Sequence, residues 1–237
     1  DCAYALEELV QMGVKELITF DVHDPNLCNA VPLLAFENFY PTNIMLENFA
    51  KTHKDSLDNL LIVSPDFGAM ERARYFAEML TCDVGVFYKR RDLSKIVNGK
   101  NPIVEHAYMG ADVKDKDIIV VDDMIASGGS MIEVASELKN RGANKIYLFS
   151  TFALFTEGTS KFDEAYEANL FESIYTTNLT HINKEIKNKD WLNCVDCSKK
   201  IAEVIDTLNQ EKSISKALNG KFEFYKKIEK IQNSVKN

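Results

Sequence analysis

The sequence predicts an α/β protein with a mostly parallel, twisted sheet flanked by helices. Three observations carry this. Short apolar runs alternate with segments of helical period along the whole chain, the pattern of repeated strand–helix–strand units. The run Ile118–Val121 (IIVV) is apolar at every position, as a strand covered by helices on both faces must be. Gly13 and Gly142 fall where helical periodicity stops and a strand is due, the usual place for a residue that tolerates a left-handed backbone.

Taken in order, residues 3–12 read as an amphipathic helix and Glu16–Phe20 as a strand that runs into the loop DVHDPN. Thr42–His53 reads as a helix, Leu60–Val63 as a strand entering SPDFG, and Gly68–Leu80 as a helix. Val84–Tyr88 is a strand that ends in Lys89-Arg90-Arg91. Residues 91–102 are polar, include Gly and Pro, and have no period, so a long loop is expected there. Strand material follows near His106–Met109 and at Asp117–Val121. The remaining elements are a helix at Gly129–Arg141, strands at Lys145–Thr151, Ser173–Thr177 and 192–195, and helices at 159–168 and Lys199–Leu208. The tail from Asn209 is more charged, and FEFYKKIEKI suits either a final helix or an edge strand.

At 237 residues and 46% hydrophobic, the chain can bury one sizeable core or two modest ones. A formal charge of −8 disfavours the broad basic footprint of a nucleic-acid binder, whereas a small anion needs only local donors. No apolar run approaches the ~20 residues of a membrane span, and no signal peptide is visible. Five cysteines at irregular spacing argue against a disulfide framework and favour a reducing cytoplasm. Cys194 and Cys197 form half of a zinc pattern without a second pair, so core positions at a strand end are the expectation. The chain opens at Asp1-Cys2 with no Met and enters a helix at once, as a chain lacking its beginning would.

The chemistry concentrates in VVDDMIASGGSM, 120–131. Asp122 and Asp123 follow the apolar strand at the carboxyl edge of the sheet, where open α/β sheets bind ligands. They are placed to accept hydrogen bonds from vicinal sugar hydroxyls. Ala126, Ser127, Gly128, Gly129 and Ser130 then open a helix. With no bulky side chains in the way, backbone N–H groups, the helix dipole and two serine hydroxyls can enclose a phosphate. A ligand with a diol at one end and a phosphate at the other is implied. The plainer reading, a turn whose acids and serines cap the helix, suits a lone Gly-Gly better than this combination. Neither GxxxxGK[ST] nor GxGxxG is present.

This segment resembles the phosphoribosyl pyrophosphate signature of type I phosphoribosyltransferase folds. Within that superfamily the chain looks most like the ribose-phosphate pyrophosphokinases. ITFDVHDPN at 18–26 is similar to that family's strand followed by Asp-x-His, and IVSPDFGAMERAR at 62–74 to its SPD-x-G segment. Phe87 to Arg91 resembles the strand that delivers a lysine and an arginine into a flexible loop, and Thr176-Thr177-Asn178 a short late motif. The likeness runs in order from residue 1 to about 215.

The resemblance implies transfer of the diphosphoryl group of ATP to the 1-hydroxyl of ribose 5-phosphate. Ribose 5-phosphate would sit on Asp122, Asp123, Ser127, Gly128, Gly129 and Ser130. His23 and Asp66 would help hold Mg²⁺ with ATP, a sparse ligand set that suits Mg²⁺. Lys89 and Arg91 would be the catalytic cations, with the loop 91–102 closing over them. Asp21 and Asp24 flank the metal position. Arg72 and Arg74 read as surface or ion-pair residues, and His53, His106, His181 and Trp191 as structural. The resemblance also implies a homo-oligomer of dimers building hexamers. It divides the chain into 1–52, a remnant of an N-terminal phosphoribosyltransferase-like domain; 53–200, the C-terminal domain; and 201–237, a helix and tail.

Two departures keep alternatives open. The family's loop commonly reads DDMIDTGGT, with an acid where Ala126 stands, which is closer here to some phosphoribosyltransferases that consume phosphoribosyl pyrophosphate. Family chains also carry a long portion before the point matching residue 1, which leaves room for a non-catalytic associate of an active synthetase.

Overall fold

The computed structural model describes residues 2–91, 103–214 and 224–228, with only the backbone course at 89–91 and 103–106. Of the loop expected at 91–102, Arg91 instead ends a strand, and residues 92–102, like most of the tail, lie outside the described residues. Helix α1 (Cys2–Gln11) precedes β1 (Glu16–Phe20), and a 3-10 turn at Pro25–Ala30 leads to β2 (Ala35–Phe39). Strands β1 and β2 pair in parallel as a small sheet of their own. The strand β2 has no counterpart in the sequence reading: AFENF is short, and Glu37 interrupts its apolar pattern.

The rest builds one seven-stranded sheet. Helix α2 (Thr42–Thr52) leads to β3 (Leu60–Ser64), α3 (Met70–Leu80) and β4 (Asp83–Arg91). Strands β5 (Ile103–Gly110) and β6 (Asp117–Ile125), helix α4 (Gly129–Asn140) and strand β7 (Ile146–Ala153) follow. Helix α5 (Ser160–Glu167), strand β8 (Ser173–Thr177), the short α6 (Lys184–Lys187), strand β9 (Leu192–Val195) and helix α7 (Ser198–Asn209) complete it. The strand order is β5-β4-β3-β6-β7-β8-β9. Every pair is parallel except β4 with β5.

Because side chains alternate across a strand, the sheet presents two apolar faces. Ile118, Val120, Ile146 and Leu148 pack with Met131, Val134, Ala135 and Leu138 of α4 and Phe162 of α5. Ile119, Val121, Tyr147 and Phe149 pack with Met45, Leu46 and Phe49 of α2 and with Ala73 and Phe76 of α3. Thus α2 is part of the layer over the large sheet, although the sequence reading placed residues up to 52 in the first part. Phe49 is fully buried, with its ring 4.8 Å from Tyr147, 5.6 Å from Tyr175 and 5.7 Å from Phe149, centroid to centroid. A separate small cluster of Leu6, Val31 and Leu34 holds α1 onto the first turns of the chain. All five cysteines are free, and Cys197 is buried at the start of α7. Among the described residues no helix is long and apolar enough to cross a membrane.

Candidate active site

From β3 the chain winds outward to β4, whereas from β6, the neighbour of β3, it winds the other way to β7. The strand order therefore reverses between β3 and β6, and the crevice outside their carboxyl ends is where such sheets bind ligands. Two of the motifs open there: SPDFG follows β3, and the small-residue loop follows β6. Pro65, Asp66, Phe67, Gly68, Phe87, Tyr88 and Ser130 enclose a cavity of about 330 Å³. Asp66 and Ser130, 64 positions apart, share one cavity because parallel β3 and β6 end side by side.

The loop after β6 has the form an anion site needs. Gly128 precedes α4 with φ +79°, a left-handed conformation that disfavours side chains. A Cβ there would lie 2.0 Å from Cζ of Phe162, so the ring of α5 fills the space that a side chain would take. No side chain caps α4, which leaves its first N–H groups free of the serine or aspartate bonds that the plainer reading required. Ala126 is exposed, and its carbonyl accepts the N–H of Thr156 at 3.0 Å. Ser127 is half-buried and Ser130 exposed.

The two acids behave differently. Strand β6 runs to Ile125, four residues past the expected end, because β7 stays alongside it to Ala153. Asp122 and Asp123 therefore lie within the strand and point to opposite faces. Asp122 faces the side of α4 and the small-residue loop and is partly open to solvent. Asp123 is 4% exposed and lies on the α3 side, where Nδ1 of His23 sits 2.7 Å from its Oδ2. Burial, a hydrogen bond shared with Asp123 and that neighbour's charge push Asp122 up to about 7. Burial also acts to raise Asp123, but hydrogen bonds from His23 and Asp122, with the charge of Arg72, outweigh it and hold Asp123 below the usual carboxylate range. As an ionised carboxylate only accepts, Nδ1 of His23 is the donor, and the bond in turn raises the imidazole pKa.

Behind this pair lies a contact the motifs did not announce. Asp21 is 2% exposed, and its Oδ1 accepts from Nε of Arg72 at 2.8 Å while its Oδ2 accepts from the Thr151 hydroxyl. Burial raises the Asp21 carboxyl, with Arg72 and Thr151 opposing. Arg72 was read as a surface or ion-pair residue, and the structure makes it a buried ion pair. The helical period of α3 gave no sign of the partner, since Asp21 is 51 positions away. Asp24 caps the 3-10 turn through the N–H of Asn26 at 2.9 Å. The Thr176-Thr177-Asn178 motif serves as a tie: the Thr177 hydroxyl donates to the Thr151 carbonyl at 2.7 Å, and the Asn178 side chain accepts from the Cys197 N–H at 2.8 Å.

The donor set for a metal is sparse. Among the described residues no three His, Cys, Asp or Glu side chains cluster to hold an ion. The ring of His23 is 80% exposed with Nδ1 on a carboxylate, an arrangement that presents Nε2 as a ligand. Asp66 is exposed, and its Oδ1 accepts the Ala69 N–H at 3.1 Å. Each is a group that suits a hard cation keeping phosphate oxygens and waters as its other ligands, and no hydrogen bond or shared cavity among the described residues joins the two. Strand β4 carries the backbone to Arg91, paired with β5 through a register shift between Arg90 and Arg91. The side chains of Lys89 and Arg91 lie outside the described residues.

A sheet wound both ways from its centre, with a small-residue loop opening a helix at the reversal, defines a doubly wound α/β protein with a crevice at its switch point. The model of the phosphoribosyl transferase domain matches residues 42–188, and the chain belongs to that family. Among its relatives are ribose-phosphate pyrophosphokinases. The one from Vibrio parahaemolyticus is 29% identical over 214 residues, covering 89% of this chain and 63% of the relative. The one from Pyrococcus abyssi is 36% identical over 154 residues, covering 65% and 50%. The chain thus spans less than two thirds of the length of these curated relatives. The crystal structure of phosphoribosylpyrophosphate synthetase from Mycobacterium smegmatis matches with a TM-score of 0.71 at 19% identity, over 89% of this chain and 64% of that one. That likeness concerns the fold.

Proposed function

We propose that this chain carries the sugar-phosphate side of a ribose-phosphate pyrophosphokinase. The whole protein would transfer the diphosphoryl group of ATP to the 1-hydroxyl of ribose 5-phosphate, giving phosphoribosyl pyrophosphate and AMP. The observation that supports this best is that Ser130, at the uncapped start of α4, and Asp66 of the SPDFG loop line one cavity at the reversal of the sheet. The names of the relatives supply the reaction.

In this reading the N–H groups at Gly128–Ser130 and the hydroxyls of Ser127 and Ser130 hold the 5-phosphate. Asp122 receives the ribose hydroxyls from the same side of the sheet, and Asp123 adds to this through its contact with His23. His23 and Asp66 hold Mg²⁺, which when bound neutralises charge on the diphosphate. Lys89 and Arg91 stabilise the transferring group, and the segment 91–102 excludes water. Such transfers depend on positioning and charge stabilisation more than on covalent help. The protein would act in the cytoplasm as a homo-oligomer built from dimers.

A phosphoribosyltransferase that consumes phosphoribosyl pyrophosphate is the second reading, favoured by Ala126 alone. Incubation of the full-length gene product with ATP, ribose 5-phosphate and Mg²⁺ separates the two. AMP release that requires ribose 5-phosphate is expected, and Lys89→Ala should slow it by about a hundredfold or more. Base-dependent pyrophosphate release from phosphoribosyl pyrophosphate, with no AMP formed, would overturn the proposal.

A further inference from the structure

Asp21 directly follows β1, two residues before His23, and has φ +47°, in the left-handed region that few residues besides glycine, asparagine and aspartate enter. Its N–H donates to the Phe39 carbonyl at 2.8 Å. Both carboxylate oxygens are engaged, one by Arg72 and one by Thr151, and the side chains of Asp21 and Arg72 are 2% and 9% exposed. Asp21 therefore has no open face for a ligand, although it lies beside the metal position implied by the sequence.

What the cluster does have is reach. It joins β1, whose following loop bears His23, to α3, whose preceding loop bears Asp66. It joins both to β7, the strand paired with β6 at Asp122 and Ser150, one residue before Thr151. An apolar contact at this junction would bury as well, but without direction. A buried ion pair fixes one geometry, and removal of either partner strands the other charge. A left-handed backbone at a non-glycine residue persists only where its surroundings over-determine it. Here Arg72, Thr151 and Phe39 hold Asp21 from three sides. The turn so fixed brings the chain off β1 and sets the ring of His23 against Asp123.

We propose that Asp21, Arg72 and Thr151 form a positioning cluster that fixes the turn after β1, so that His23 seats Nδ1 on Asp123 and presents Nε2 outward. It rests on the proposed reaction only in treating His23 as a functional group.

The test reads the imidazole, not turnover. Ring ¹H–¹⁵N spectra at one fixed pH would be compared for the wild type, Asp21→Asn, Arg72→Gln, Thr151→Val and the double variant Asp21→Asn/Arg72→Gln. His23→Gln assigns the signal among the four histidines. Asn tolerates a left-handed backbone, and the double variant replaces two buried charges by two neutral amides that can bond to each other. Each single variant should move the His23 ring toward the free-imidazole pattern and speed exchange of its Nδ1 proton by about tenfold or more, the loss of one charge-assisted hydrogen bond. The double variant should restore both. An unchanged ring in the single variants would overturn the proposal, and so would a double variant no better than the singles. If Arg72→Gln fails to fold, Thr151→Val, which keeps the ion pair, decides by the same signal. The spectra contain no ATP or ribose 5-phosphate, so this result and failure of the reaction assay are distinguishable.

Discussion

The two sides of β6 solve the same problem in opposite ways. On the α4 side, Asp122 and the loop through Ser130 come from nine consecutive residues, and the loop's shape depends on one glycine and one ring packed against it. On the α3 side, Asp123 meets His23, and the buried cluster of Asp21, Arg72 and Thr151 proposed to position that ring is drawn from the turn after β1, from α3 and from β7. Adjacent acids of the same type consequently differ in charge tendency, one pushed up to about 7 and the other held low. Position on a strand, not residue type, decides what a carboxylate can do.

The comparison can be broken from either side. The largest effect is expected on the α3 side. Arg72→Ala leaves Asp21 buried without its cation and should cost about 3–5 kcal/mol of stability, measured by urea unfolding. Gly128→Ala, on the other side, forces a Cβ into the Phe162 ring. It should cost about 1–3 kcal/mol, and ribose 5-phosphate binding should weaken in the same protein.

Asp122→Asn is expected to do the reverse for stability. An acid whose folded pKa is raised binds more protons folded than unfolded, so its ionisation destabilises the fold. The penalty is absent below the ordinary aspartate value of 3.8, develops as pH rises towards about 7, and is complete above that. Thermal melts at pH 8 should therefore show the Asn variant higher by roughly 3 °C, with little difference near pH 3.5, while sugar-phosphate binding is lost. His23→Gln should change stability least, by under about 0.5 kcal/mol, as the ring is exposed. The imidazole pKa is raised by Asp123. The charged contact is thus complete below the ordinary histidine pKa and is lost as pH rises through the folded value. The small wild-type advantage over His23→Gln should fade in that direction.

The same contrast explains what the sequence could disclose. The phosphate-type loop was legible because its parts are contiguous: an apolar strand, two acids, small residues and a helix start. The strands and helices of the large sheet were legible for the same reason, since the IIVV run and the spacing of Met131, Val134, Ala135 and Leu138 are local signals. The strand β2 was missed because Glu37 breaks its short pattern, and its pairing with β1 is a tertiary fact. Asp21, Arg72 and Thr151 were not found as a unit. Their separations of 51 and 130 positions carry no periodic trace, and a buried arginine on a helix reads like an exposed one. Likewise, the extension of β6 to Ile125 depends on β7 alongside, so the opposite facing of Asp122 and Asp123 could not be read in advance.

The proposed function stands or falls on whether the crevice at the end of β6 binds a phosphorylated ribose. Calorimetric titration of this chain with ribose 5-phosphate, beside ribose and inorganic phosphate, tests it most directly. Saturable binding of ribose 5-phosphate is expected, at least about tenfold tighter than either fragment because diol and phosphate act together, and lost in Gly128→Ala. No heat with ribose 5-phosphate, or equal binding that Gly128→Ala leaves intact, would contradict the account.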